Sequence, residues 1–61
     1  MTVFEALNKV NELNFYIDFL KELKEEYVFT ESKEQNIDYI INYLTTEKER
    51  IEEKLNSIHV D

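Results

Sequence analysis

The sequence holds 61 residues, 14 of them acidic and 7 basic for a net charge of −7, and it contains no Gly, Pro or Cys. A chain this short is one domain at most and too small to be comfortably stable alone; without Cys it has no disulfide or thiolate zinc site, and the lone His59 leaves no metal cluster, so oligomerisation is the remaining staple. The negative charge makes nucleic acid and anionic membranes unfavourable partners, and the missing turn residues argue for long helices joined by very little loop.

The first helix is expected over about residues 3–28. Thr2-Val3-Phe4-Glu5 has the capping-box pattern, in which the Thr2 hydroxyl accepts from the Glu5 N–H and the Glu5 side chain reaches back to the N–H of Thr2. Apolar side chains then recur at Val3, Ala6, Val10, Leu13, Ile17, Leu20 and Tyr27 in alternating steps of three and four, with Lys24 the one break. This is the a/d seam of a coiled coil.

The periodicity stops at Tyr27-Val28-Phe29, three weak helix formers, and the chain is expected to turn over about residues 29–32. With no glycine cap available, these three side chains should fold over that end of the core. Ser32-Lys33-Glu34-Gln35 is a second capping box, which starts the second helix at Lys33 with Thr30 as the competing cap. That helix should run over about residues 33–58, with Val60 and Asp61 fraying. Its seam is Ile37, Ile41, Leu44, Lys48, Ile51, Leu55 and Ile58.

Reversing the chain at the turn satisfies both seams in one register. Val3 meets Ile58, Ala6 meets Leu55, Val10 meets Ile51, Leu13 meets Lys48, Ile17 meets Leu44, Leu20 meets Ile41, Lys24 meets Ile37 and Tyr27 meets Glu34. Each a position then faces a d position, and small Ala6 lies opposite large Leu55. The expected fold is therefore all-α: a single antiparallel two-helix hairpin over residues 1–61, each helix roughly 39 Å long at about 1.5 Å per residue. Lys24 and Lys48 should lie along the groove with their ammonium groups in water; the competing reading has them fix the register.

A hairpin buries one stripe per helix, and seven large side chains fall outside it. Phe15, Tyr16, Phe19 and Leu23 on the first helix, and Tyr39, Ile40 and Tyr43 on the second, occupy positions c, f and g. The register sets Phe19 beside Tyr43 and Leu23 beside Ile40, making one aromatic patch near the turn. The opposite side is mostly polar. A patch of this size marks an interface, either a homodimer closing into a four-helix bundle or the docking surface of a different protein. Phe4 and Leu7 should cap the open end with Ile58 and Val60.

Paired carboxylates occur at helical spacing at Glu22 and Glu26 and at Glu49 and Glu53, interleaved with Lys and Arg. They read as solvated faces, since acid–base work needs a cleft that separates the two pKa values. Glu5 with Lys9, Lys21 with Glu25, and Lys48 with Glu52 form i to i+4 pairs worth a few tenths of a kcal/mol each. His59, in the last turn, suits the helix dipole better than catalysis. No catalytic residue, metal site or cofactor is expected.

The run Glu34-Gln35-Asn36-Ile37-Asp38-Tyr39-Ile40-Ile41-Asn42-Tyr43 resembles the second-helix motif of the small Spo0E-like phosphatases, whose pattern is Ser-Gln-Glu-Leu-Asp, an apolar pair and a Tyr. Gln35, Ile37, Asp38 and the pair Ile40 and Ile41 fit; Glu34 stands where the motif has Ser, and Tyr43 comes one residue early. The resemblance implies a helical hairpin acting on a phosphorylated response regulator, with Asp38 its key residue.

The residues themselves point elsewhere. The expectation is a non-enzymatic, acidic protein–protein interaction module, an adaptor, inhibitor or regulator of bacterial or phage type, that binds itself and another protein through helical faces. The alternatives are the aspartyl-phosphate phosphatase and a purely structural assembly subunit. No apolar run spans a membrane and the start lacks a signal-peptide pattern, so the expected location is cytoplasmic.

Overall fold

The computed structural model describes residues 2–59, with side chains through residue 57. The chain is a hairpin of two helices, α1 (Val3–Glu26) and α2 (Glu31–His59), with no strand among the described residues. At the start of α1, Thr2 is extended and its hydroxyl accepts the Glu5 N–H at 3.1 Å, satisfying one of the donors that every helix start leaves open. The Thr2 carbonyl takes the first intrahelical bond, from Ala6 at 3.0 Å. Among the described hydrogen bonds Glu5 makes no return to Thr2, so half of the capping box forms.

α1 ends at Glu26, earlier than the sequence pattern suggests. The Tyr27 N–H still bonds the Leu23 carbonyl at 3.1 Å, but Tyr27 itself is extended, at φ −123° and ψ 148°. With no glycine in the chain to adopt a left-handed cap, the backbone leaves the helix through an extended residue instead. α2 then starts on the competing cap. The Lys33 N–H reaches the Thr30 hydroxyl at a long 3.4 Å, and the Glu34 N–H bonds the Thr30 carbonyl at 2.9 Å. Starting at Glu31 rather than Lys33 adds two residues to the helix and sets Glu31 and Glu34 in its first turn, where carboxylates are favourable.

The buried core is Ala6, Val10, Leu13 and Ile17 of α1 with Leu55 of α2; Leu13, at 4% exposed, is the most enclosed. Ala6, Val10 and Leu55 form one cluster with Val3 and Ile51 packed against it, which is the register expected at the open end. At the turn end Lys24 binds Asp38, one position from its expected seam partner Ile37. One register thus holds along the whole hairpin. The Lys24 ammonium binds the Asp38 carboxylate of the facing helix, and both side chains remain partly exposed.

Burial is uneven along this seam. On α1 it is full from Ala6 to Ile17, but Val3 and Leu20, and Ile37, Ile41, Leu44 and Ile51 on α2, are only half-buried. The turn does not close over that end: Val28 is 102% exposed, Tyr27 is exposed, and only Phe29 is half-buried, its ring 6.3 Å from that of Tyr27. Phe4 and Leu7 are likewise exposed rather than folded in at the open end. A two-helix hairpin has no third layer for these side chains to pack against. The expected contacts of Ile58, His59 and Val60, and the fraying of Val60 and Asp61, lie outside the described residues or side chains.

Candidate interaction surface

The seven side chains outside the seam sit on the surface. Phe15 is 67% and Tyr39 73% exposed; Tyr16, Phe19, Ile40 and Tyr43 are exposed too, and Leu23 is half-buried. Two local contacts hold the α1 part in place. The Tyr16 hydroxyl donates to Glu12 Oε1 at 3.4 Å, one helical turn back, and the Phe15 and Tyr16 rings meet edge to face with centroids 5.9 Å apart. Among the described residues the paired rings are Phe15 with Tyr16 and Tyr27 with Phe29, and Phe19 and Tyr43, set beside each other by the register, form no ring pair. Both occupy outward positions, which diverge across a two-helix hairpin.

Toward the open end the same side of the hairpin changes character. A groove of about 370 Å³ runs between the helices, with Val3, Ala6, Ile51 and Leu55 among its lining residues and Lys9, Arg50 and Lys54 around it. Three of the chain's seven basic residues therefore converge on one groove, where the acidic lining residue is Glu47. Glu47 accepts a 3.5 Å bond from Arg50, whereas Lys9 and Lys54 form no ion pair among the described residues. Arg50 and Glu47 also line a shallow depression with Tyr39 and Tyr43, so the aromatic face and the basic groove are continuous along α2. This groove was missed by the sequence reading, although Lys9 and Lys54 share the g position and meet across the register.

Surface area gives the scale of what is uncovered. The chain exposes 5139 Å². A compact monomer of its 7.4 kDa mass exposes about 4,200 Å². The excess, roughly 900 Å², is close to the ~800 Å² that one partner contributes to a standard protein–protein interface.

The groups singled out for chemistry do not gather. Glu22, Glu26, Glu49 and Glu53 are exposed, and among the described residues no set of three His, Cys, Asp or Glu side chains could hold a metal ion. Among the described residues none of the three expected i to i+4 pairs closes to an ion pair; the pairs that form are Lys24 with Asp38 and Arg50 with Glu47. Holding two long exposed side chains in one geometry costs about what the attraction returns. Asp38, the residue singled out by the phosphatase resemblance, has its carboxylate on the Lys24 ammonium, with the two side chains 50% and 27% exposed. That hydrogen bond holds Lys24 above the ordinary lysine value of 10.5, against the effect of burial and helped by the charges of Asp38 and Glu34. Among the described residues no helix is long and apolar enough to cross a membrane. No family model, curated protein or solved structure matches the chain.

Proposed function

We propose that the chain is a non-enzymatic protein–protein interaction module, an adaptor, inhibitor or regulator that acts by laying helical faces against other proteins, and that two hairpins close their aromatic faces into a four-helix bundle. The observation that supports this reading is the exposed aromatic face itself. Phe15, Tyr16, Phe19, Tyr39, Ile40 and Tyr43 are all exposed, at the end of the hairpin where Leu20, Ile37, Ile41 and Leu44 of the seam are only half-buried. A soluble monomer rarely exposes so large an apolar patch. Covering it also supplies the third and fourth helices that Leu20, Ile37, Ile41 and Leu44 lack. The acidic outer side of α1, with Asp18, Glu22 and Glu25 exposed, remains open in such a bundle for a second partner with a basic surface.

Sedimentation equilibrium over a wide concentration range, with helicity followed by circular dichroism at the same concentrations, tests the proposal. The chain should be a helical dimer that loses helix on dilution. Phe19→Asp should weaken the dimer at least tenfold while the hairpin still forms at high concentration, because Phe19 lies outside the seam. Ile17→Asp should abolish helix at every concentration, since a carboxylate at that buried position costs several kcal/mol, more than a chain this small can spare. A parent chain that is monomeric throughout, or a Phe19→Asp chain that associates as tightly as the parent, overturns it.

A further inference from the structure

We infer that the occupant of the aromatic face is a second copy of this chain lying antiparallel to the first, so that the turn of each hairpin seats against the cation-rimmed groove of the other. This rests on the interaction reading above and adds the partner's orientation and the contacts that fix it.

The two ends of the hairpin are complementary. The turn carries the exposed apolar residues Tyr27 and Val28, and between Glu25 and Glu34 it has four carboxylates against the single Lys33. The open end carries the apolar groove, with Lys9, Arg50 and Lys54 against Glu47. Lys9 and Lys54 line it from opposite helices, and neither has an ion-pair partner among the described residues. Like charges facing across a helix pair oppose folding, and opposite charges are what such flanking positions ordinarily hold. An acidic, apolar segment lying against the groove relieves that repulsion, and the turn is such a segment.

The spacing agrees with this. The aromatic face is centred near Phe19. A two-fold axis there, perpendicular to the helices, carries Val28, nine positions further along, to the level of Val10, nine positions back. Val10 lies level with Ile51, where Lys9 and Arg50 reach the groove. A single axis therefore stacks aromatic face on aromatic face and brings both turns to both grooves. The contact is isologous, so every favourable pair occurs twice and the assembly closes at two chains. A two-fold axis parallel to the helices would instead set the three cations against their own copies and the acidic turn against its copy, an arrangement that like-charge repulsion disfavours. The area fits as well: aromatic side chains carry about 150–250 Å² each, so the exposed fractions of the face amount to roughly 600 Å², most of a standard partner's share before any rim is counted.

Because the chain has no Cys, a single substitution gives a unique labelling site. Ser32→Cys carries a spin label at the turn, and the distance between the two labels of the dimer is read by pulsed dipolar spectroscopy. Ser32 lies level with a point ten residues beyond Phe19, so antiparallel packing places the labels about 30 Å or more apart at 1.5 Å per residue. Labels within about 20 Å of each other would show parallel packing at that spacing and overturn the inference, leaving the aromatic face as the self-interface. A monomer at every concentration would overturn that reading as well. Lys54→Glu supplies the second readout: it should raise the dimer dissociation constant about tenfold in low salt with less effect in high salt, and an unchanged constant would remove the turn from the groove.

Discussion

The Lys24–Asp38 pair is the one interaction between charged side chains of the two helices among the described residues, so it reports on register as no local pair can. Lys24 is held above its ordinary value because its hydrogen bond to Asp38 favours the charged form. A group whose folded value is raised contributes stability that is fully present below its unfolded value and lost as pH rises through the folded one. The contribution should therefore persist through neutral pH and disappear above 10.5. Lys24→Met makes this measurable. The difference in unfolding midpoint between the parent chain and Lys24→Met should shrink as pH rises past that value, whatever other groups ionise there. Asp38→Ala should destabilise the hairpin in the same way, and the double variant should lose no more than the worse single one, because the two residues act as one unit. Additive losses would mean that the pair does not couple the helices. Non-additive losses would give Asp38 a structural role in joining the two helices.

At the scale of the helices, the seam was legible because its signal is redundant. Seven positions on each helix repeat with the same period, and the buried cluster of Ala6, Val10 and Leu55 repeats the register read from the pattern. The ends were less legible because single residues decide them. Thr30 and Ser32 can both cap α2, and the sequence motif favoured Ser32, whose partner Gln35 completes a box. Thr30 is the cap and the helix starts at Glu31, because that choice keeps one hydroxyl bond and adds two residues to the helix. Thr30→Ala should therefore cost about 1 kcal/mol of stability, whereas Ser32→Ala should stay within about 0.5 kcal/mol, measured by denaturant unfolding at one chain concentration. The reverse order would restore the start at Lys33. The aromatic face was legible as a set of residues that the seam leaves out. Its mutual packing was not, since the distance between c positions depends on how far the helices diverge outward. The basic groove was harder still. It depends on Ala6 being small enough to leave a hollow and on three cations from two helices reaching the same place, which no single-helix pattern records.

The whole molecule is a rod of 48 × 16 × 14 Å with a radius of gyration of 14.2 Å, where a compact chain of its length would have about 10.5 Å. That elongation is the global counterpart of a seam half-buried near the turn, and a second hairpin corrects the thickness while leaving the length to the stagger. An axis at Phe19 lies nearer the turn than the middle of the hairpin. Two antiparallel copies related by it overlap along the aromatic faces and extend past each other at the open ends. The stagger adds roughly 10 Å at 1.5 Å per residue. Small-angle scattering of the dimer should therefore give a maximum dimension approaching 60 Å from the single hairpin's 48 Å length. A dimer no longer than the hairpin would place the axis at its middle, near Phe15. Phe19 would then fall level with Arg50 of the other chain instead of a second aromatic face, and a cation–π contact would replace ring on ring there. The particle length thus decides which side chains form the centre of the interface.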